Sequence, residues 1–184
     1  GRIFISASTT NEIIAKYFKA RNCKIITNCL YIFYQYHDMP NTEVILIGGR
    51  YNKMIESFLG TITLETLKKI KYTKAFVGTN GITDNELFAS NEEESLIHRR
   101  VLDNAIEKYI VADNTKFNNS AFFNFYNLDQ VTAVITDKEP VDNILEYRNI
   151  TNIIYNNQIP IRKALWYRLH LYPIPQAYQV YRYP

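Results

Sequence analysis

Short apolar, β-prone runs alternate with amphipathic stretches along most of this chain, and nearly every run closes on a small, polar or glycine-containing turn. That alternation restricts the fold more than any other feature, because strands separated by helices pair in parallel. Residues 3–5 predict a first strand, and residues 6–10 hold five small residues, four of them hydroxylated, that read as a tight turn into a helix N-cap. Ile13, Ile14, Tyr17 and Phe18 then recur on one helical face. A second strand is expected at 24–27 and a helix at 30–37, stopped by the Met39-Pro40 pair. Residues 43–47 form a continuous apolar run closed by Gly48-Gly49, the pattern of a buried strand.

The alternation continues downstream. Residues 63–71 predict a helix, with Leu64, Leu67 and Ile70 on one face and Thr63 as its cap. Residues 74–77 predict a buried strand, followed by the turn Gly78-Thr79-Asn80-Gly81 and a loop over 83–90. Asn91 is placed to cap a helix from Glu92 to about Ile106, its first turn acidic as the helix dipole favours. A strand at 109–112 ends in residues 113–117, and residues 118–127 read as a Phe-rich loop. A strand at 131–135, a helix with Pro140 near its start, and a short strand at Ile153-Ile154 complete the pattern.

The expected fold is therefore α/β, a mostly parallel sheet with helices on both faces. Such sheets bind ligands at the carboxyl ends of their strands. The turns at 6–10, 27–28, 48–50, 78–81 and 113–116 all follow strands, so they gather at one edge whatever the strand order. At the first turn, free N–H groups of the helix end and the hydroxyls of Ser8, Thr9 and Thr10 make a phosphate cradle, or else an ordinary capped turn.

The 184 residues suffice for a domain with a sizeable core. No apolar run approaches transmembrane length, and no secretory signal is visible, so no membrane partner is expected. Cys23 and Cys29 form no CxxC or Cys/His cluster and read as free thiols of a reducing cytoplasm. The net charge of +3 is misleading. Five of the 21 basic residues follow Glu146 and no acidic residue does, so residues 1–146 hold 16 basic against 18 acidic residues. The body of the chain is not a nucleic-acid surface by charge. Residues 156–184 break the pattern, with Trp166, five tyrosines and four of the six prolines. They read as a separate tail, disordered or vector-derived, with an aromatic arm docking on another subunit as the alternative.

Taken in order, seven segments resemble the C-terminal effector-binding domain of DeoR-type transcriptional repressors, with the lactose phosphotransferase system repressors as the most similar branch. They are residues 3–10, 25–30 (Ile-Ile-Thr-Asn-Cys-Leu), 44–50 (Val-Ile-Leu-Ile-Gly-Gly-Arg), 58–60, 74–82 (Lys-Ala-Phe-Val-Gly-Thr-Asn-Gly-Ile), 107–117 and 128–137. The resemblance spans residues 3 to about 155, a domain taken here as 1–155. It implies a fold like that of ribose-5-phosphate isomerases and CoA transferases, and a phosphorylated sugar as effector. It implies no cofactor, a homo-oligomer, and operator DNA bound only through a winged helix-turn-helix preceding this stretch. The family's first turn usually has Asp and Gly where this chain has Ser6 and Ser8. Its Glu-to-Lys pair one turn apart reads here as Glu94 and His98, an exposed intrahelical pair on the plain reading.

The expected contacts are Ser6, Ser8, Thr9 and Thr10 at the first turn, with Asn28, Gly49, Arg50, Asn80, Gly81, Asp113 and Lys116 around it. Lys116 is a phosphate-pairing cation or a solvated loop lysine. Arg50 is a bidentate clamp or a surface charge. Asp113 orients Lys116, accepts from a sugar hydroxyl, or simply shapes its turn. The rival reading is a sugar-phosphate isomerase, which needs a positioned carboxylate base. The turn that carries aspartates in those enzymes has Asn80 here, and Asp84 and Glu86 lie in an unmatched loop. Regulation is therefore expected rather than catalysis.

Overall fold

The computed structural model describes residues 1–8, 10–11, 22–137 and 142–155. In chain order its strands and helices begin with β1 (Arg2–Ile5), β2 (Cys23–Thr27), α1 (Leu30–Tyr36) and β3 (Thr42–Leu46). A hairpin of β4 (Arg50–Asn52) and β5 (Ser57–Leu59) leads to α2 (Thr61–Leu67) and β6 (Tyr72–Gly78). A second hairpin, β7 (Gly81–Thr83) and β8 (Glu86–Ala89), precedes α3 (Glu92–Asp103) and β9 (Ala105–Val111). Then come β10 (Phe123–Asn127), β11 (Ala133–Ile135), α4 (Ile144–Ile150) and β12 (Asn152–Ile154).

Seven strands make one parallel sheet in the order β12-β11-β9-β6-β1-β2-β3. The strand period of two splits the core. Phe4, Ile26, Ala75, Val77, Ile110 and Val134 point to one face, where α2, α3 and α4 contribute Leu67, Ile97, Val101 and Tyr147. Ile3, Ile5, Ile25, Phe76, Tyr109 and Ile135 point to the other, where α1 contributes Ile32 and Tyr36. The expected α/β sheet with helices on both faces is thus present. The chain winds outward from β1 through β2 to β3, then returns to β6 on the other side of β1 and continues to β12. The direction reverses between β1 and β6, the position at which open α/β sheets form their ligand crevice.

Several local expectations are corrected. The run at 43–47 is the edge strand β3, only partly buried, because nothing pairs beyond it in the sheet. Thr63 does not cap its helix. Gly60 holds the N-cap position, while Thr63 is buried in the first turn and donates to the carbonyls of Gly48 at 2.8 Å and Leu59 at 3.2 Å. The helix from Glu92 stops at Asp103, and residues 105–108 join β9 because they pair with β6 along its length. The stretch 83–90 is no loop: Asp84, with φ of 52°, turns β7 back on β8. The stretch 118–127 is only partly loop, since β10 pairs with β8 to make a three-stranded antiparallel sheet whose Leu87 and Phe125 seal the core. Among the described residues no helix is long and apolar enough to cross a membrane. The helical face of Ile13, Ile14, Tyr17 and Phe18, Pro140 and the tail 156–184 lie outside the described residues.

Candidate functional site

Parallel pairing brings the ends of β1, β2, β3, β6, β9 and β11 to one edge, and with them every turn singled out from the sequence. The centre of that edge is a closed seam between β1 and β6. Ser6 donates its N–H to the Phe76 carbonyl at 3.0 Å, and its hydroxyl accepts from the Gly78 N–H at 3.1 Å. Asn11, wholly buried, donates through Nδ2 to the Ser6 carbonyl at 2.9 Å and also approaches the Ser6 hydroxyl and the Phe76 carbonyl. The Ser8 hydroxyl accepts the Asn11 N–H at 2.9 Å, an N-cap-like contact. Gly78 must be glycine for space: a Cβ there would lie 2.6 Å from Ser8 Cβ. Ser6 and Ser8, where the family usually has Asp and Gly, thus hold the turn together from within. Thr10 is buried at the same turn, and Thr9 lies outside the described residues.

One strand over, the Thr27 hydroxyl donates to the Ile5 carbonyl at 2.7 Å and accepts the Cys29 N–H at 3.0 Å. Asn28 ties the end of β2 to the first hairpin. Its carbonyl accepts the Phe58 N–H at 2.8 Å and its Nδ2 donates to the Phe58 carbonyl at 2.9 Å. Asn28 is 4% exposed, and neither its Oδ1 nor that of Asn11 receives a hydrogen bond from the described residues.

The outer turns are built differently. At Gly49, φ is 154° and a Cβ would collide with the Thr63 hydroxyl, so the turn into β4 requires glycine. Arg50 forms an ion pair with Glu93 of α3, both side chains about half exposed. Asn80 is exposed, and its Oδ1 accepts the Ser90 N–H at 3.0 Å. The Gly81 carbonyl accepts the Thr79 hydroxyl at 2.9 Å. Asp113 caps the 3-10 turn 114–116 by accepting the N–H of Thr115 at 2.9 Å, and the Asn114 N–H donates to Asp137 Oδ1 beyond β11. Lys116 sits in that turn, partly buried, and its ammonium pairs with no carboxylate among the described residues. Arg50 and Asp113 thus have protein partners, whereas Lys116 has no carboxylate partner among the described residues.

Two findings lay beyond the sequence reading. Asn11 is the staple of the seam; its position three residues after Ser8 in a hydroxylated turn was the available signal. The β4–β5 hairpin, which anchors Asn28, was hidden because each strand is three residues long. The Glu94–His98 pair corrects an expectation. His98 is buried and Glu94 partly buried rather than exposed, with His98 Nε2 3.9 Å from Glu94 Oε1 and the imidazole edge-on to Phe125. Burial pushes the His98 pKa down to about 3 and raises that of Glu94, so the imidazole is neutral and the contact is no ion pair. No cluster of metal-ligating side chains occurs among the described residues.

Comparison with known proteins agrees with this architecture. The family model of the DeoR C-terminal sensor domain matches residues 1–138. The lactose phosphotransferase system repressor of Streptococcus mutans serotype c is 36% identical over 155 residues, covering 83% of this chain and 61% of that protein. The protein of the same name from Lactococcus lactis subsp. lactis is 35% identical, with 83% and 61% covered. The HTH-type transcriptional repressor GlcR of Bacillus subtilis is 28% identical over 76% of this chain and 54% of its own length. The chain therefore spans less than two thirds of these relatives. Among solved structures, eIF2B beta of Chaetomium thermophilum aligns with a TM-score of 0.46 at 10% identity, over 82% of this chain and 48% of that one, too distant to add weight. With three quarters of its length matched by the family model and two relatives above 30% identity, this chain belongs to the DeoR C-terminal sensor domain family.

Proposed function

We propose that this domain senses a phosphorylated sugar at the carboxyl edge of its sheet and, in the whole protein, uses that signal to control operator binding by a separate helix-turn-helix module within a homo-oligomeric repressor of sugar metabolism. The observation that carries the reading is Lys116, a cation with no carboxylate partner among the described residues, at the carboxyl end of β9, next to the β1–β6 point where the winding order reverses. A lysine there makes a charge-assisted contact with a phosphate. Ser8, Thr9 and Thr10 complete the cradle in this reading, and Asn80, Gly81 and Asp113 line its far side. The names of the relatives, lactose phosphotransferase system repressor and HTH-type repressor, support a regulator of sugar use. Catalysis is disfavoured by chemistry: enolisation of a sugar phosphate needs a carboxylate beside the substrate carbon. The turn after β6 offers Asn80 instead, and Asp84 and Glu86 stand exposed on the β7–β8 hairpin.

Calorimetric titration with tagatose 6-phosphate, fructose 1-phosphate, fructose 6-phosphate and the corresponding free sugars tests the proposal. Binding of one or more phosphates, with the free sugars silent and every ligand recovered unchanged, is the expected result. Equal affinity for a sugar and its phosphate would remove the phosphate site, and recovery of an isomerised product would make the domain an enzyme.

A further inference from the structure

Almost every buried polar group at the carboxyl edge is satisfied from within the protein. The carbonyls of Ile5, Ser6 and Phe76 receive the Thr27 hydroxyl, the Asn11 amide and the Ser6 N–H, and the Ser6 hydroxyl receives the Gly78 N–H. Asn28 is an exception. Its Nδ2 is spent on the Phe58 carbonyl, so the amide cannot turn over without breaking that bond. Its Oδ1 is fixed in place, buried, and without a donor. A buried acceptor left empty costs stability, and a site that retains one has a use for it.

A carboxamide oxygen only accepts. It repels a phosphate oxygen and welcomes a hydroxyl, a group that Lys116, with donors alone, does not select. The two also stand apart along the edge: Lys116 follows β9 and Asn28 follows β2, three strand spacings away, roughly 14 Å at ~4.8 Å per strand. The lysine side chain covers part of that gap, and a phosphorylated hexose covers the rest. From this we infer that Asn28 is the specificity-determining acceptor for a hydroxyl on the unphosphorylated end of the effector, held in register by the β4–β5 hairpin. The inference rests on the sugar-phosphate reading above and adds which end of the ligand lies where. Asn11, the other carboxamide whose oxygen has no donor among the described residues, lies inside the β1–β6 staple and serves as a positioning residue.

The test uses the whole chain with fructose 6-phosphate or whichever phosphate of the panel binds best, a series of its analogues in which one hydroxyl at a time is replaced by fluorine, and inorganic phosphate. Fluorine keeps the size of the hydroxyl but donates no hydrogen bond. One analogue should bind about tenfold more weakly to the native protein, the value of a single buried hydrogen bond, and about equally to Asn28→Ala. Inorganic phosphate should bind both proteins alike. In the native protein the Asn28 side-chain amide resonances should shift with the sugar phosphate and not with inorganic phosphate, a readout that needs no variant. If Asn28→Ala weakens inorganic phosphate as much as the sugar phosphate, or if no fluorinated analogue depends on Asn28 and its amide resonances stay still, the assignment is overturned while the sensor reading stands. If no sugar phosphate binds the native protein, both fall.

Discussion

The seam between β1 and β6 and the rim around it lie on the same edge of one sheet, yet they are built on opposite rules. In the seam, Ser6, Ser8, Asn11 and Gly78 hydrogen-bond to one another and pack so closely at Gly78 that no side chain fits there. On the rim, Lys116 has no carboxylate partner and Asn28 Oδ1 no donor among the described residues. The contrast teaches that residues drawn from one sequence signal divide into those that hold the geometry and those left with polar groups to spare. A hydroxylated turn suggests donors for a phosphate, but the Ser6 hydroxyl is already engaged in joining two strands.

The sharpest way to break the contrast is to crowd the seam. Gly78→Val places methyl groups where a single Cβ already meets Ser8 at 2.6 Å. Overpacking on this scale costs about 3 kcal/mol or more, and a urea titration should show the midpoint falling steeply. A loss below about 0.5 kcal/mol would mean that the two strand ends separate freely. On the rim, Lys116→Ala should leave the ligand-free unfolding midpoint nearly unchanged and weaken sugar-phosphate binding by about ten- to a hundredfold, the range of a charge-assisted contact. Arg50→Ala is its control: the half-exposed pair with Glu93 is worth little, so both stability and affinity should stay close to native. Equal effects from the two substitutions would erase the distinction drawn between them.

A subtler effect, seen only against pH, concerns His98, a polar group buried like Asn11 but able to titrate. Its folded pKa, about 3, lies below its unfolded value because burial disfavours the cation. The unfolded chain therefore binds the extra proton first, and stability declines as pH falls below about 6.5 toward 3. Glu94, raised by burial, contributes with the opposite sign, losing stability as pH rises from about 4.5. Between pH 7 and 5.5 the His98 contribution is about 1 kcal/mol. Thermal melts of His98→Gln should be flatter over that interval than those of the native protein; parallel curves would show that the imidazole reaches solvent.

Much of the parallel sheet was legible because buried strands must be apolar and their turns must be polar or glycine. The candidate residues come to one edge for the same reason: each belongs to a turn that follows a strand. What escaped the sequence was pairing between short segments. Arg50–Asn52 and Ser57–Leu59 are too brief to show an alternation, and Phe123–Asn127 carries aromatic residues on both faces. Roles within the site escaped for a related reason. Whether Arg50 is free depends on Glu93, 43 residues away, and whether Asn28 has a spare oxygen depends on the backbone of Phe58.

The junction of β1 with β6 also bears on how the molecule assembles. Arg2 and Thr73 bond at a sequence separation of 71, whereas β1 meets β2 after about twenty residues of chain. Closing a loop of that length costs on the order of 4 kcal/mol in chain entropy before any contact rewards it. Local hairpins and neighbouring strands gather at lower cost, so the crevice comes into being only when the two halves of the sheet finally meet. Neither half of the sheet holds the crevice by itself, which makes it a property of the whole sheet.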